Sequence, residues 1–300
     1  MHSKFTGIVL SFLIILTLPA WSQNGRIDFD VSASIDWVRG ELNAQISYDL
    51  AQAGIRLPAG RFMAEETLRT AYPQFMRSLL LPVRVDSSST ISDLINRREI
   101  GIEDLNTITR GVRKIPPSLS PDLTRMNGRY TVFIERISSL LLRHRRPTEP
   151  ERLLMPVPAA NYTGIIIIAD QQLPVHGRRG RAFVEPCLFP RIWDTNMNVI
   201  FDRSMLDPAR MAGNMMVRYT VSESIFRPTP SGLEGELAAF AGPNPMRILA
   251  RQVFGLYTTD PIIDRHDAMR ILANENNRRL LREGRVVFVL NETQLLQTIR

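Results

Sequence analysis

The residues with the most chemical potential lie near the C-terminus, where Asp260, Asp264, His266 and Asp267 bring three carboxylates and an imidazole within eight positions. Such donors hold a divalent metal when three or four of them converge. The spacing argues for a simpler role. An aspartate followed three residues later by a second acid marks a helix N-terminus, and on that helix His266 falls between Asp264 and Asp267 rather than on their face. A second set, Asp170, His176 and Cys187, offers an acid, an imidazole and a thiol. A cysteine nucleophile needs a base within hydrogen-bond reach, and no family signature surrounds this cysteine. In Glu185-Pro186-Cys187-Leu188-Phe189 it reads as a small buried apolar group. Glu65 and Glu66 are adjacent and point about 100° apart on a helix, which does not make an acid–base pair. The run His176-Gly177-Arg178-Arg179-Gly180-Arg181 lacks the Gly-Lys-Ser/Thr ending of a phosphate loop. The expectation is no catalytic residue, no cofactor and no metal. The alternative is a periplasmic hydrolase or metal-dependent enzyme built on Asp170, His176 and His266.

Arginine is the other conspicuous chemistry. Lysine occurs only at positions 4 and 114, so 35 of the 37 basic residues are arginine, and the formal net charge is +7. Guanidinium groups grip carboxylates and phosphates in bidentate fashion. Two clusters stand out: Arg143, Arg145 and Arg146 beside a run of prolines, and Arg178, Arg179 and Arg181 in a glycine-bearing loop. These six are the expected contact for an anionic partner. The competing reading of such a run is a solvated connector.

The N-terminus indicates where this chemistry takes place. Lys4 precedes an apolar stretch from Phe5 to Leu18, and Ala20 and Ser22 are small residues at the positions a signal peptidase reads, so cleavage is expected after Ser22. The apolar stretch is short for a membrane span of about 20 residues, although an uncleaved anchor is the alternative. An exported chain with a single cysteine has no internal disulfide, so its stability must come from packing, for which a hydrophobic fraction of 44% is ample.

The elements that must position these residues are legible in part. Asp28 to Trp37 and Leu42 to Leu50 alternate apolar and polar residues, as in a β-hairpin with one buried and one wet face. Ala64, Leu68, Ala71, Phe75 and Leu79 make the stripe of a helix from about 58 to 80, with Pro73 expected to kink or divide it. The polar run from Asp86 to Thr90 is suited to capping a helix over 91–98. Residues 143–160, with four prolines, read as a linker. Beyond it, Tyr162 to Asp170 holds four consecutive isoleucines and reads as a buried strand. Further strands are expected on either side of a turn at 194–198, over 217–221, over 247–256 and over 285–290. A loop is expected over 222–245, and a helical region from Asp264 to Gly284.

The hairpin strand, the helix RFMAEETLRTAYPQFMRSLL, the run LPVRVDSSSTISDL and the strand in NGRYTVFIER together resemble the FlgP-like (Lpp-type) family of small bacterial envelope lipoproteins over Asp36 to Leu142. The chain departs from that pattern in having no lipid-bearing cysteine after its leader and in carrying Pro73. YTGIIIIAD, CLFPRIWDTNMNVIFD and the segment ending in LREGRVVFVL are similar to the C-terminal region that accompanies this module in longer secreted spirochaetal and proteobacterial proteins. The resemblance implies an envelope-associated, non-enzymatic role, sometimes linked to motility, and carries no catalytic residues.

The expected organisation is thus a signal peptide over 1–22, an α+β hairpin-helix-strand module over 23–142, a linker over 143–160 and a larger mixed α/β domain over 161–300. The expected function is that of an exported, non-enzymatic structural or binding protein, periplasmic or associated with the outer membrane. Its partner would be an envelope protein or an anionic envelope polymer or lipid rather than nucleic acid, with homo-oligomers allowed. A soluble periplasmic ligand carrier is a further alternative and would require a large apolar cavity between the domains.

Overall fold

Alternation along the first described strands dictates a sheet with one apolar face. In the computed structural model, which describes residues 29–154, 157–211, 213–221 and 236–299, β1 (Phe29–Asp36) and β2 (Glu41–Asp49) form the expected hairpin, with Ala33, Ile35, Leu42, Ala44, Ile46 and Tyr48 buried on one side. The expected signal peptide lies outside the described residues. Among the described residues no helix is long and apolar enough to cross a membrane.

Helix α1 (Arg61–Leu80) lies on this apolar face. It runs as one helix through Pro73 rather than dividing there. Its buried stripe is Ala64, Leu68, Tyr72, Met76 and Leu79, so Tyr72 and Met76 replace the expected Ala71 and Phe75. Tyr72 stacks on Tyr130 at 4.8 Å between ring centroids, and such a pair contributes about 0.5–1.5 kcal/mol beyond its buried area. Gly128 permits the close approach: a Cβ there would lie 2.9 Å from Leu68 Cδ2.

The chain then forms a small hairpin, β3 (Arg84–Asp86) and β4 (Ser89–Thr90), which leads into α2 (Ile91–Asn96). Thr90 and Asp93 close the capping box of α2, as the polar run suggests. Next come α3 (Ile102–Arg110), β5 (Arg113–Leu119), β6 (Arg125–Phe133) and α4 (Ile134–Leu141).

The second half is organised on β7 (Ile165–Ala169), the isoleucine strand. It is followed by the pair β8 (Leu173–Pro174) and β9 (Arg181–Ala182), then β10 (Ile192–Asp194) and β11 (Val199–Phe201) on either side of the expected turn, and β12 (Arg218–Thr220). The loop expected over 222–245 contains a helix, α5 (Glu236–Ala241), while its first part lies outside the described residues. Then follow β13 (Met246–Phe254), β14 (Asp260–Ile263), α6 (Arg265–Leu272) and α7 (Glu275–Arg282). Asp264 caps α6, accepting from the His266 N–H at 2.8 Å, and Asn274 starts α7. Last are β15 (Val286–Leu290), α8 (Glu292–Leu295) and β16 (Leu296–Ile299).

These strands make two main sheets in an α+β fold. One has the order β16-β1-β2-β6-β5 and the other β11-β10-β14-β13-β7-β15-β12. In the second, β7 is parallel to both β13 and β15, which explains why its isoleucines do not alternate with polar residues. β13 is an interior strand between β14 and β7, not an edge open to another chain. A bulge between Ala250 and Gln252 turns Val253 inward, ending the alternation expected over 247–256.

The halves are joined by their own backbone. β16, within the expected 161–300 domain, pairs antiparallel with β1 of the first sheet. One hydrophobic core runs through both, with Trp37 edge-on to Tyr219 and Tyr219 edge-on to Phe288.

Candidate binding surfaces

The six arginines of the sequence reading divide by what they touch. Arg143 donates to the Glu99 carbonyl at 2.8 Å and to Asp104 at 2.9 Å, tying the start of the linker to α3. Arg178 donates to the Gly255 carbonyl and Arg181 to the Gln172 carbonyl, so both brace the β8–β9 hairpin. Arg145, Arg146 and Arg179 are exposed and make no ion pair or side-chain hydrogen bond among the described residues.

The residues with chemical potential are held apart by structural bonds. His176 Nδ1 meets Gln252 Oε1 at 2.9 Å, and its ring packs edge-on to Phe254. His266 is exposed on the first turn of α6. The peptide on either side of Cys187 is clamped by one phenol: the Cys187 N–H donates to Tyr219 Oη at 3.1 Å, and Tyr219 Oη donates to the Cys187 carbonyl at 2.8 Å. Burial pushes the Cys187 thiol well up, aided by the charge of Asp260, so the thiolate needed for nucleophilic chemistry is disfavoured. Among the described residues no group of three His, Cys, Asp or Glu side chains is placed to hold a metal.

Sequence reasoning missed the buried polar network where the halves meet. The β3 strand takes up the segment around Cys187 as a neighbour: the Leu188 N–H donates to the Arg84 carbonyl at 3.1 Å and the Phe189 N–H to the Val85 carbonyl at 2.8 Å. Arg84 also pairs with Glu185. Beyond it, Asp86 accepts from the Ser88 N–H, the Ser88 hydroxyl and the Ser89 hydroxyl at 2.7–2.9 Å. Burial raises the Asp86 carboxyl, but these donors and the nearby Arg191 outweigh it and hold the group below its usual range. Asp260, fully buried, accepts from the Arg191 N–H at 3.1 Å, Trp193 Nε1 at 3.2 Å and the Thr259 hydroxyl at 3.0 Å. There burial wins, and the carboxyl is pushed above its ordinary value. The Asp-Ser-Ser-Ser run was the one signal available in the sequence. It shows a turn, not the approach of Asp260 from the other half of the chain.

Two open surfaces flank β5, the edge strand of the first sheet. On the helix side, Phe62, Tyr72, Tyr130, Ile115, Pro116 and Pro117 line a groove of about 420 Å³. Phe62 is 78% exposed, a large apolar side chain with no cover, and Lys114 Nζ sits 4.4 Å from the centroid of Tyr72. On the other side is the wet face of the sheet, a polar trough of about 540 Å³.

Comparison with protein families finds two matches. Residues 28–140 match the family described as Treponema pallidum Tp0624, N-terminal domain, and residues 164–292 match Treponema pallidum Tp0624, second domain. Each match covers less than half of the chain, and they follow one another in the order of their names. Neither description names a FlgP-like lipoprotein. No curated protein matches the chain.

Proposed function

We propose that this chain is an exported, non-enzymatic binding or structural protein of the cell envelope. One observation carries the reading: Asp264, His176 and the Cys187 peptide are engaged in a cap and in bonds between segments, and no group of three His, Cys, Asp or Glu converges among the described residues, while the guanidinium groups of Arg145, Arg146 and Arg179 are exposed without a partner among them. Free, exposed arginines attract anionic polymers, lipid head groups or acidic protein surfaces. The apolar leader at the N-terminus and the FlgP-like character of residues 36–142 support placement at the periplasm or outer membrane, and that character also admits a link to motility. The groove around Phe62 supports docking on another envelope component rather than turnover of a substrate.

The test is fractionation of cells expressing the chain, with separate high-salt and detergent washes of the envelope pellet. Retention in the envelope and release by salt is the expected outcome, because exposed ion contacts are screened. A triple variant, Arg145→Glu with Arg146→Glu and Arg179→Glu, should shift the protein to the soluble fraction. Recovery of the unaltered protein in the soluble periplasm would overturn the docking reading. Release by detergent alone would replace the arginine contact with a membrane-embedded anchor.

A further inference from the structure

The open face of the five-stranded sheet carries its polar side chains in register. Ser32, Gln45 and Arg129 stand opposite one another on β1, β2 and β6. The next row runs Ser34, Asn43 and Thr131 over the same strands, with Thr298 of β16 beside Ser34.

Elsewhere on this face the polar groups satisfy one another. The Thr131 hydroxyl donates to Asn43 at 2.8 Å, and Ser47 donates to Asn127 at 2.8 Å. At one end Arg113 pairs with Glu41 at 3.6 Å. At the other, Arg125 lies 3.7 Å from Asp30 and 4.0 Å from Asp49. The Ser32-Gln45-Arg129 row differs. None of these three side chains, nor Ser34 or Thr298, makes a hydrogen bond or ion pair among the described residues. Between these end pairings, Arg129 stands at the middle of the face as a guanidinium with no carboxylate partner among the described residues.

An unpaired guanidinium takes a carboxylate in bidentate fashion. The amide and hydroxyls beside it repeat at the strand spacing of about 4.8 Å, near the repeat of a pyranose chain. Ile115, 40% exposed and opposite Arg129 on β5, adds an apolar edge against which a sugar ring can lie. We infer that this face binds an acidic oligosaccharide, its carboxylate on Arg129 and its hydroxyls on Gln45, Ser32, Ser34 and Thr298. This site is separate from the linker and hairpin arginines of the docking reading, so either can fail without the other.

The experiment is calorimetric titration of the purified full chain with trigalacturonate, with neutral maltotriose and with acetate. Trigalacturonate should bind in the sub-millimolar range, maltotriose at least about tenfold more weakly and acetate more weakly still. Arg129→Gln should weaken trigalacturonate binding by about tenfold or more, and Gln45→Ala by less. Arg251→Gln, at an exposed position on β13, should leave it unchanged. Arg129 is exposed, so its variant should keep the parent's thermal midpoint, which separates lost binding from lost folding. Absence of trigalacturonate binding, equal loss with Arg251→Gln, or acetate binding as tight as the trisaccharide would each overturn the site. The last two outcomes would reduce the effect to general charge attraction.

Discussion

Asp86 and Asp260 both feel Arg191, and burial acts on both, yet their carboxyls shift in opposite directions. The difference is in the donors. Two hydroxyls and an N–H close on one oxygen of Asp86, whereas the donors around fully buried Asp260 do not offset its desolvation. Linkage gives the signs. Asp86, lowered on folding, contributes stability above about pH 4 that is lost as pH falls through its folded value. Asp260, raised on folding, contributes stability that is full below about pH 4 and is lost as pH rises through its folded value. Asp86→Asn should therefore cost about 1–3 kcal/mol at neutral pH and less at pH 3, while Asp260→Asn should become more favourable relative to the parent as pH rises from 4 to 7. Urea unfolding at the two ends of each range measures both, and a pH-independent difference for either variant would show that its carboxyl does not titrate as argued. Sequence could place the turn around Asp86 because an Asp-Ser-Ser-Ser run bonds locally. It could not pair that turn with Asp260, because nothing local encodes a contact across half the chain.

Among the elements, those whose pattern is local were the readable ones: the β1–β2 hairpin, α1, the isoleucine strand and the capped start of α6. Their burial follows from alternation or helical spacing that any partner surface would satisfy. β5 was not readable, since Pro116 and Pro117 interrupt its donors, and its strand character comes from pairing with β6 around an irregularity between Ile115 and Ser118. That irregularity protects the outer edge of the sheet from further strands. Replacing Pro116 and Pro117 together by threonine restores two N–H donors, and the variant should self-associate at concentrations where the parent does not, as read by light scattering after size exclusion. An unchanged molar mass would assign the protection to something other than the prolines. Gly255 makes a similar point for a loop. It follows β13 at φ +115°, and a Cβ there would lie 2.4 Å from Cβ of Ser87, which leaves no room for a side chain. Gly255→Ala should lose about 2 kcal/mol or more, measured by chemical denaturation, through both backbone strain and the forced parting of the halves. A loss within the ordinary surface range of about 0.5 kcal/mol would mean that the contact yields easily.

At the scale of the molecule, two matched regions that carry separate domain names are built here around one core. The final strand returns to the first sheet, Trp37 donates its N–H to the Leu295 carbonyl at 3.0 Å and its Nε1–H to Gln297 at 3.2 Å, and the indole packs on Tyr219. Composition and linker texture suggested two bodies joined by a connector, because a proline-rich stretch is visible in sequence and a returning strand of four residues is not. A shared core makes unfolding of one half expose apolar surface of the other, so the free energies do not separate. Chains with Trp21 and Trp193 replaced by phenylalanine would report on the first half through Trp37, and chains with Trp21 and Trp37 replaced would report on the second through Trp193. In each variant the tryptophan signal and the far-ultraviolet circular dichroism should give the same urea midpoint and the same slope. Deleting residues 296–300 should then lower both midpoints together, by an amount set by the loss of the β1–β16 ladder and the Trp37 contacts. Midpoints that separate in the intact chain, or a deletion that moves only the Trp37 signal, would show two independently stable units held by a dispensable strand.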